Sequence, residues 1–259
     1  MIIGIVGYGV VGKAIAQAFE SQSHYVKWYD KHIDNHTNYS DLYDCECIFV
    51  CVPTQTINGR CDILPVEDAF SKLNHLKFKG LVILKSTVPP GTTQTLIENY
   101  PNLKICFVPE FLRQDSALHD FMYSNETLIV GSKCKKTFDF LVDLHAPFYN
   151  NAIRISEVEA EVVKYFANNF NSMRVVFANL FYEVCQKVDA EYDEVLRSAT
   201  ALSTIGNASY LKCNKKLRGF GGKCLPKDIE AFNNFIKDLD VSATLLDSII
   251  NDNEYYKKK

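Results

Sequence analysis

Between an apolar run, Ile2–Val6, and an amphipathic run, Lys13–Phe19, the chain reads Gly7-Tyr8-Gly9-Val10-Val11-Gly12. A short apolar run ended by glycines and followed at once by helical periodicity is a strand, a tight turn and a helix. Gly7 makes the turn, Gly9 leaves room for a pyrophosphate, and Gly12 lets helix and strand pack closely. Unpaired N–H groups at the helix N-terminus supply the anion affinity. A second strand, Tyr25–Tyr29, ends at Asp30, with Lys31 beside it. A carboxylate there hydrogen-bonds a ribose 2′-hydroxyl and repels a 2′-phosphate, so the expected dinucleotide is NAD rather than NADP. Lys31 weakens that exclusion slightly.

More strand-like runs follow. Cys47–Val52 ends at Pro53-Thr54, Leu81–Lys85 at Ser86-Thr87-Val88-Pro89, and Lys104–Val108 at Pro109-Glu110. Helical patterns lie around Val66–Leu73 and Thr92–Tyr100. This alternation predicts a parallel sheet covered on both faces, with ligands collecting beyond the carboxyl ends of its strands. Thr127–Gly131 and Ala152–Ile155 read as the last two strands, with a helix near Lys135–Leu144.

From Ser156 the pattern changes. Ser156 and Glu159 form a capping box, and apolar residues recur at helical spacing from Val158 to Val184. One long helix to about Lys187 is expected, then helices over Tyr192–Ala199, Lys227–Leu239 and Ser242–Tyr256. The predicted architecture is α/β. A Rossmann-type, doubly wound parallel sheet over residues 1–155 precedes an all-α domain over residues 156–259 built on the long helix. Its Phe-rich stripe reads as core and partner interface.

The most unusual stretch of the second half is Gly219-Phe220-Gly221-Gly222-Lys223-Cys224-Leu225-Pro226-Lys227-Asp228. Its glycines let backbone approach a ligand closely, and Pro226 is pre-set for the first turn of a helix. Cys224 is therefore expected just ahead of a helix N-terminus, beside Lys223 and Lys227, where thiolate is favoured over thiol. The plain alternative is a structural cysteine in a glycine-rich turn. Lys164 and Asn168, four apart, share a face of the long helix amid apolar neighbours. An ammonium near a cysteine can stabilise an oxyanion. Asp228 is either an acid orienting water or that ammonium, or simply a helix N-terminal acid.

Composition narrows the classes. At 259 residues the chain holds one large or two ordinary domains, and with 47% hydrophobic residues and a net charge of -3 nothing calls for nucleic acid or a membrane surface. Nine cysteines at irregular spacing point to reduced thiols and a cytoplasmic compartment. Cys45-Glu46-Cys47 lacks a second pair at metal-ligand spacing, so no metal site is expected. Met1–Val11 lacks a basic flank and runs into a helix, unlike a signal sequence, and no run approaches transmembrane length.

The cysteine loop resembles, nearly residue for residue, the cysteine motif of the nucleotide-sugar 6-dehydrogenases acting on UDP-glucose, UDP-N-acetylmannosamine and GDP-mannose. Glu159-Ala160-Glu161-Val162-Val163-Lys164-Tyr165 with Asn168 is similar to the central-helix signature of that family. Ser86-Thr87-Val88-Pro89-Pro90-Gly91-Thr92 and Pro109-Glu110-Phe111-Leu112-Arg113 resemble its substrate-facing loops, and Pro53-Thr54 the loop after its third strand. The resemblance implies NAD-dependent oxidation of a sugar C6 alcohol to an acid in two hydride steps. Cys224 would trap the aldehyde as a thiohemiacetal and then carry a thioester. Lys164 and Asn168 would hold the oxyanion, while Thr87, Glu110 and Asp228 manage water and protons. It also implies that Phe111, Leu112, Arg113, Phe220, Gly221 and Gly222 line the substrate, and that the protein is a homodimer through the long helix.

Three departures bear on this reading. Gln114 stands where the family has a second glutamate, and Thr204 where it has an arginine reaching the partner's substrate, unless Lys212, Lys215, Lys216 or Arg218 substitutes. The chain also stops where family members continue into a UDP-binding domain, so either a separate polypeptide supplies that domain or substrate is held by the remaining half-site. The leading expectation is a UDP-glucose 6-dehydrogenase-like enzyme. The alternatives are a catalytically silent NAD-binding or assembly protein, or a half-enzyme completed by a UDP-binding chain.

Overall fold

The protein is described by a computed structural model that covers residues 1–34, 37–124 and 127–259. It divides into two compact units, Met1–Gln55 with Asp62–Lys164, and Thr56–Cys61 with Tyr165–Lys259. No helix among the described residues is long and apolar enough to cross a membrane.

The first unit is built on a seven-stranded sheet of order β2-β1-β3-β6-β7-β8-β9. Its strands are β1 Ile2–Val6, β2 Tyr25–Tyr29, β3 Cys47–Val50, β6 Leu81–Leu84, β7 Lys104–Phe107, β8 Thr127–Gly131 and β9 Asn151–Ile155. Helices α1 Val10–Ser21, α2 Leu64–His75, α3 Thr92–Asn99, α4 Ala117–His119 and α5 Lys135–His145 connect them. Side chains alternate across the sheet, as period two requires. Ile3, Ile5, Cys47 and Phe49 join one core with Phe19 and Phe121, and Val6, Ile48 and Val50 join the other with Phe70 and Val66. Both faces are covered.

The first five strands run parallel, as the sequence pattern predicts, but β8 meets β7 antiparallel, with Phe107 opposite Gly131. The expected Rossmann-type parallel sheet is thus found mostly parallel, with β8 and β9 reversed. A parallel neighbour needs a long crossover, usually helical. Between β7 and β8 the chain instead makes short turns over Gln114–Ser116, Ala117–His119 and Asp120–Ser124.

The second unit holds α6 Glu157–Lys187 beyond Lys164, with α7 Tyr192–Thr200, α8 Leu225–Asp238 and α9 Thr244–Lys257. The Ser156–Glu159 capping box forms: Glu159 Oε2 accepts the Ser156 N–H at 2.7 Å, and Ser156 Oγ accepts the Glu159 N–H at 3.3 Å. Compactness divides the chain inside α6 rather than at Ser156, because the first turns of that helix are held in the first unit. Glu161 is the anchor: its carboxylate accepts the N–H groups of Gly91 and Thr93 and caps α3.

A hairpin escaped the sequence reading. β4 Thr56–Ile57 and β5 Arg60–Cys61 turn through Asn58 and Gly59, both with positive φ (51° and 75°), the signature of an Asn-Gly turn. Although it lies in sequence between β3 and α2, it packs on α8. The Thr56 hydroxyl donates to the Lys227 carbonyl (2.7 Å), Asn234 donates to the Gly59 carbonyl (2.9 Å), and Arg60 pairs with Asp238 (2.6 Å).

The glycine turn is testable residue by residue. A Cβ on Gly12 would lie 2.1 Å from the Gly7 carbonyl oxygen, whereas one on Gly9 would meet nothing within 4 Å. Gly12→Ala is expected to destabilise the protein by about 1–3 kcal/mol. Gly9→Ala should leave the thermal midpoint nearly unchanged and instead weaken dinucleotide binding, measured by calorimetric titration with NAD.

Candidate active site

At the carboxyl ends of β1 and β2, the glycine turn and Asp30 are joined directly. Asp30 Oδ2 accepts the Tyr8 N–H at 2.8 Å and Oδ1 accepts the His32 N–H at 2.9 Å. The Tyr8 ring stacks on Trp28, centroids 4.0 Å apart. A cavity of about 350 Å³ opens beside this turn, lined by Gly7, Asp30, Lys31, Pro53 and Ala69 among others. Val10 and Val11 begin α1, and Gly9 has open space where its side chain would be. Together these fit a dinucleotide, with its phosphates at the α1 N-terminus and a ribose near Asp30. Thr54 and Ser86 are buried alongside, and Ser86 Oγ ties the end of β6 to the segment after β3 through the Val52 carbonyl at 2.7 Å. Thr87 follows, half-buried.

Beyond β7, Glu110 is buried. Its Oε2 lies 2.8 Å from the ammonium of Lys85, which is equally buried, and its Oε1 accepts the Phe111 N–H at 2.9 Å. Lys164 donates to the Glu110 carbonyl and sits 5.1 Å from the Phe111 ring centroid. The structure therefore brings Glu110, Phe111 and Lys164 together. Lys85, which the sequence reading took as a strand residue, is the countercharge for Glu110. Only its position beside Ser86-Thr87 could have signalled that.

The loop following Glu110 is locked by a second missed residue. Asp120 accepts the Arg113 backbone N–H (3.0 Å), its Nε (2.9 Å) and its Nη2 (2.6 Å), and the Ser116 hydroxyl (3.0 Å). The Arg113 guanidinium, foremost among these, pulls the Asp120 carboxyl down to about 2. Arg113, expected to face substrate, pairs with Asp120 while most of its side chain stays exposed. Leu112 packs against the sheet core, and Gln114 opens the short turn after Arg113.

In the second unit, Cys224 is the N-cap of α8, and its carbonyl accepts the Asp228 N–H at 3.0 Å. Its side chain is exposed. Asp228 is not a surface helix acid: it is buried and accepts hydrogen bonds from Asn168 Nδ2 and from the Lys227 ammonium. The Lys227 ammonium, which precedes Asp228 by one residue, therefore has that carboxylate as a partner. Gly219 and Gly222 both have positive φ (62° and 75°), Phe220 is buried, and Gly221 and Gly222 have open space around them. Two of the nine cysteines, Cys134 and Cys224, are exposed. Burial pushes the Cys51 and Cys45 thiols up to about 12 and raises Cys47 and Cys106 further.

The first unit offers a place for a dinucleotide, and the second an exposed thiol on a helix whose first turn holds a buried acid paired with the Asn168 amide of α6. The class these features define is the NAD-binding dehydrogenases. The chain belongs to the UDP-glucose/GDP-mannose dehydrogenase family: residues 29–149 match its NAD binding domain and residues 158–255 its central domain. A UDP-glucose 6-dehydrogenase of Rickettsia bellii (strain RML369-C) is 31% identical over 224 residues, covering 83% of this chain and 50% of that protein. UDP-glucose 6-dehydrogenase TuaD of Bacillus subtilis (strain 168) is 32% identical over 218 residues, 81% of this chain and 46% of that one. The structure of a UDP-glucose dehydrogenase from the archaeon Pyrobaculum islandicum superposes with a TM-score of 0.87 at 25% identity, over 98% of this chain and 68% of that one. The chain spans about half the length of the curated relatives it matches.

Because the Asp120 carboxyl is depressed, its pairing stabilises the fold above the ordinary value of 3.8 and is lost as pH falls through about 2. With Arg113 largely exposed, screening holds the gain to about 1–2 kcal/mol. Asp120→Asn should therefore be less stable than the native protein at neutral pH by that amount. The gap should close between about pH 4 and pH 2, as read from denaturant midpoints.

Proposed function

We propose that the chain carries the NAD-binding and catalytic portion of a nucleotide-sugar 6-dehydrogenase of the UDP-glucose to UDP-glucuronate type. The observation that carries this reading is Cys224, an exposed thiol at the α8 N-cap after a glycine loop, with Asp228 and Asn168 paired and buried in the same unit. Single-hydride chemistry has no use for such a thiol. When bound, NAD accepts the hydride in each of two oxidations.

In the first step the C6 hydroxyl loses its proton and C6 a hydride, giving an aldehyde. The Cys224 sulfur adds to that carbonyl carbon, and the thiohemiacetal oxygen gains or keeps a proton. Loss of the second hydride from C6, with the hydroxyl proton of the thiohemiacetal passing to water or a nearby base, leaves a thioester. Water then attacks the carbonyl, the C–S bond breaks, and the acid and the free thiol are released. The family resemblance assigns Lys164, an ammonium with three N–H donors, and Asn168 to the oxygen that becomes anionic at each addition. It assigns Glu110, Thr87 and Asp228 to the water and its proton, and Phe111, Phe220, Gly221 and Gly222 to the sugar.

A second reading, a silent NAD-binding assembly protein, draws on Gln114 and Thr204, where the resemblance implies an acid and a cation. The assay separates them: NADH formation from NAD and UDP-glucose, with the chain alone and with a candidate UDP-binding chain. Cys224→Ala is expected to abolish net acid formation, by about 10³-fold or more, while leaving the thermal midpoint and NAD affinity intact. Retained acid formation would remove the covalent route.

The homodimer is proposed on the outer face of α6. Phe166, Phe170, Phe177, Phe181, Val184 and Val188 are exposed at three-, four- and seven-residue steps, Phe166 to 71%. An apolar stripe of that length at helical period is covered by a second copy in antiparallel or crossed packing. Sedimentation should return twice the 29.4 kDa chain mass, and Phe177→Glu should give a folded monomer.

A further inference from the structure

We infer that Asn253 on α9, supported by Asn179 on α6, is a positioning residue for the loop that carries Cys224. Asn253 is 3% exposed, and its amide faces the backbone of Phe220 as a neighbouring strand would. Its Oδ1 accepts the Phe220 N–H at 2.6 Å and its Nδ2 donates to the Phe220 carbonyl at 3.1 Å. Asn179 Oδ1 accepts the preceding N–H, of Gly219, at 3.2 Å. Its Nδ2 is engaged by the Val175 carbonyl at 2.8 Å, which fixes the oxygen toward the loop.

These contacts divide the loop into two halves. Gly219–Phe220 is clamped: the Phe220 ring is buried against Val176, Ile229 and Ile249, and a Cβ on Gly219 would come 2.8 Å from Asn253 Oδ1. Gly221 and Gly222 have open space around them and make the step to Cys224. A glycine-rich step holds a thiol in place only if both its ends are fixed. The α8 helix fixes one end, and the Asn253 amide fixes the other. Removing the amide leaves two buried backbone groups of Phe220 unpaired, and the loop gains solvation by leaving its place. The consequence for catalysis rests on the proposed role of Cys224; the consequence for thiol placement does not.

The test compares Asn253→Ala, Asn253→Asp, Asn179→Ala and Tyr192→Phe. The last removes a buried hydroxyl that donates to the Leu211 carbonyl in the same unit, away from the loop. Each protein is alkylated with iodoacetamide at neutral pH, and the labelling of Cys224 is divided by that of Cys134, the exposed thiol of the first unit. In Asn253→Ala the ratio should fall about three- to fivefold as the sulfur leaves the α8 N-terminus. Asn253→Asp, which keeps the acceptor, should fall less, and Tyr192→Phe should lower the thermal midpoint without moving the ratio. In the NADH assay, Asn253→Ala should lose about 10- to 100-fold in kcat with NAD affinity unchanged. An unchanged ratio in folded Asn253→Ala overturns the inference. Should that variant fail to fold, an unchanged ratio in both Asn253→Asp and Asn179→Ala does the same. A shifted ratio with no NADH from the native protein upholds the positioning role and removes the enzymatic reading instead.

Discussion

Helix α6 is amphipathic the wrong way round. Glu157, Glu161, Lys164, Asn168, Ser172 and Asn179 recur at four-, three- and seven-residue steps along one stripe, and all are buried. The opposite stripe, with Phe166, Phe170, Phe177 and Phe181, is exposed. An isolated helix of this kind would bury its phenylalanines and solvate its acids. It is held the other way because each buried polar group has a partner in its own unit. Glu157 accepts the Lys133 N–H, Glu161 caps α3, Lys164 meets the Glu110 carbonyl, and Asn168 meets Asp228. Burial pushes the Glu161 carboxyl up, but its three donors, two N–H groups and the Thr93 hydroxyl, oppose the shift. Within the first unit the inner stripe thus holds the loops after β6 and β7, and within the second it holds the first turn of α8.

Elements with strong local period were legible in the sequence. The glycine turn, the capping box, the long helix and the N-cap position of Cys224 all follow from residues within one turn of each other. What was not legible depends on partners distant in sequence. Lys85 reads as the last residue of a strand, and only folding places it 25 positions from Glu110 as its counterion. Asp120 lies in an irregular stretch with no period to mark it. The hairpin carried a readable Asn-Gly signal at Asn58-Gly59, overlooked because its strands are two residues each, too short to alternate. The reversal of β8 follows from the connection rather than the strand, and a strand's own residues do not encode its direction.

The nine cysteines show how burial sorts thiols by the ease with which they ionise. A thiol reacts as its thiolate, and desolvation disfavours the charged form. Cys45, Cys47, Cys51 and Cys106 lie in or beside the sheet core, where burial raises each of them. Cys213 is raised likewise in the second unit. Exposure alone does not choose between Cys134 and Cys224, since both are N-caps of helices. Their surroundings differ. Cys134 begins a helix on the outside of the sheet and has hydrogen bonds from Thr137 that lower it. Cys224 ends a glycine loop on a helix whose first turn buries an acid.

The two buried carboxylates, Glu110 and Asp228, follow one rule by different means. A buried carboxylate is tolerable when an ammonium and further donors surround it, and costly when either is lost. Glu110 has Lys85 and the Phe111 N–H; Asp228 has Lys227 and Asn168. The Lys85 ammonium is sealed from solvent, so the Glu110 pair is rigid. The Lys227 side chain is partly exposed, so the cation of the Asp228 pair meets solvent while the Asn168 amide beside the acid is buried. Of the two acids, Asp228 accordingly has the cation that meets solvent, and Glu110 the one enclosed beside the backbone carbonyl that Lys164 grips.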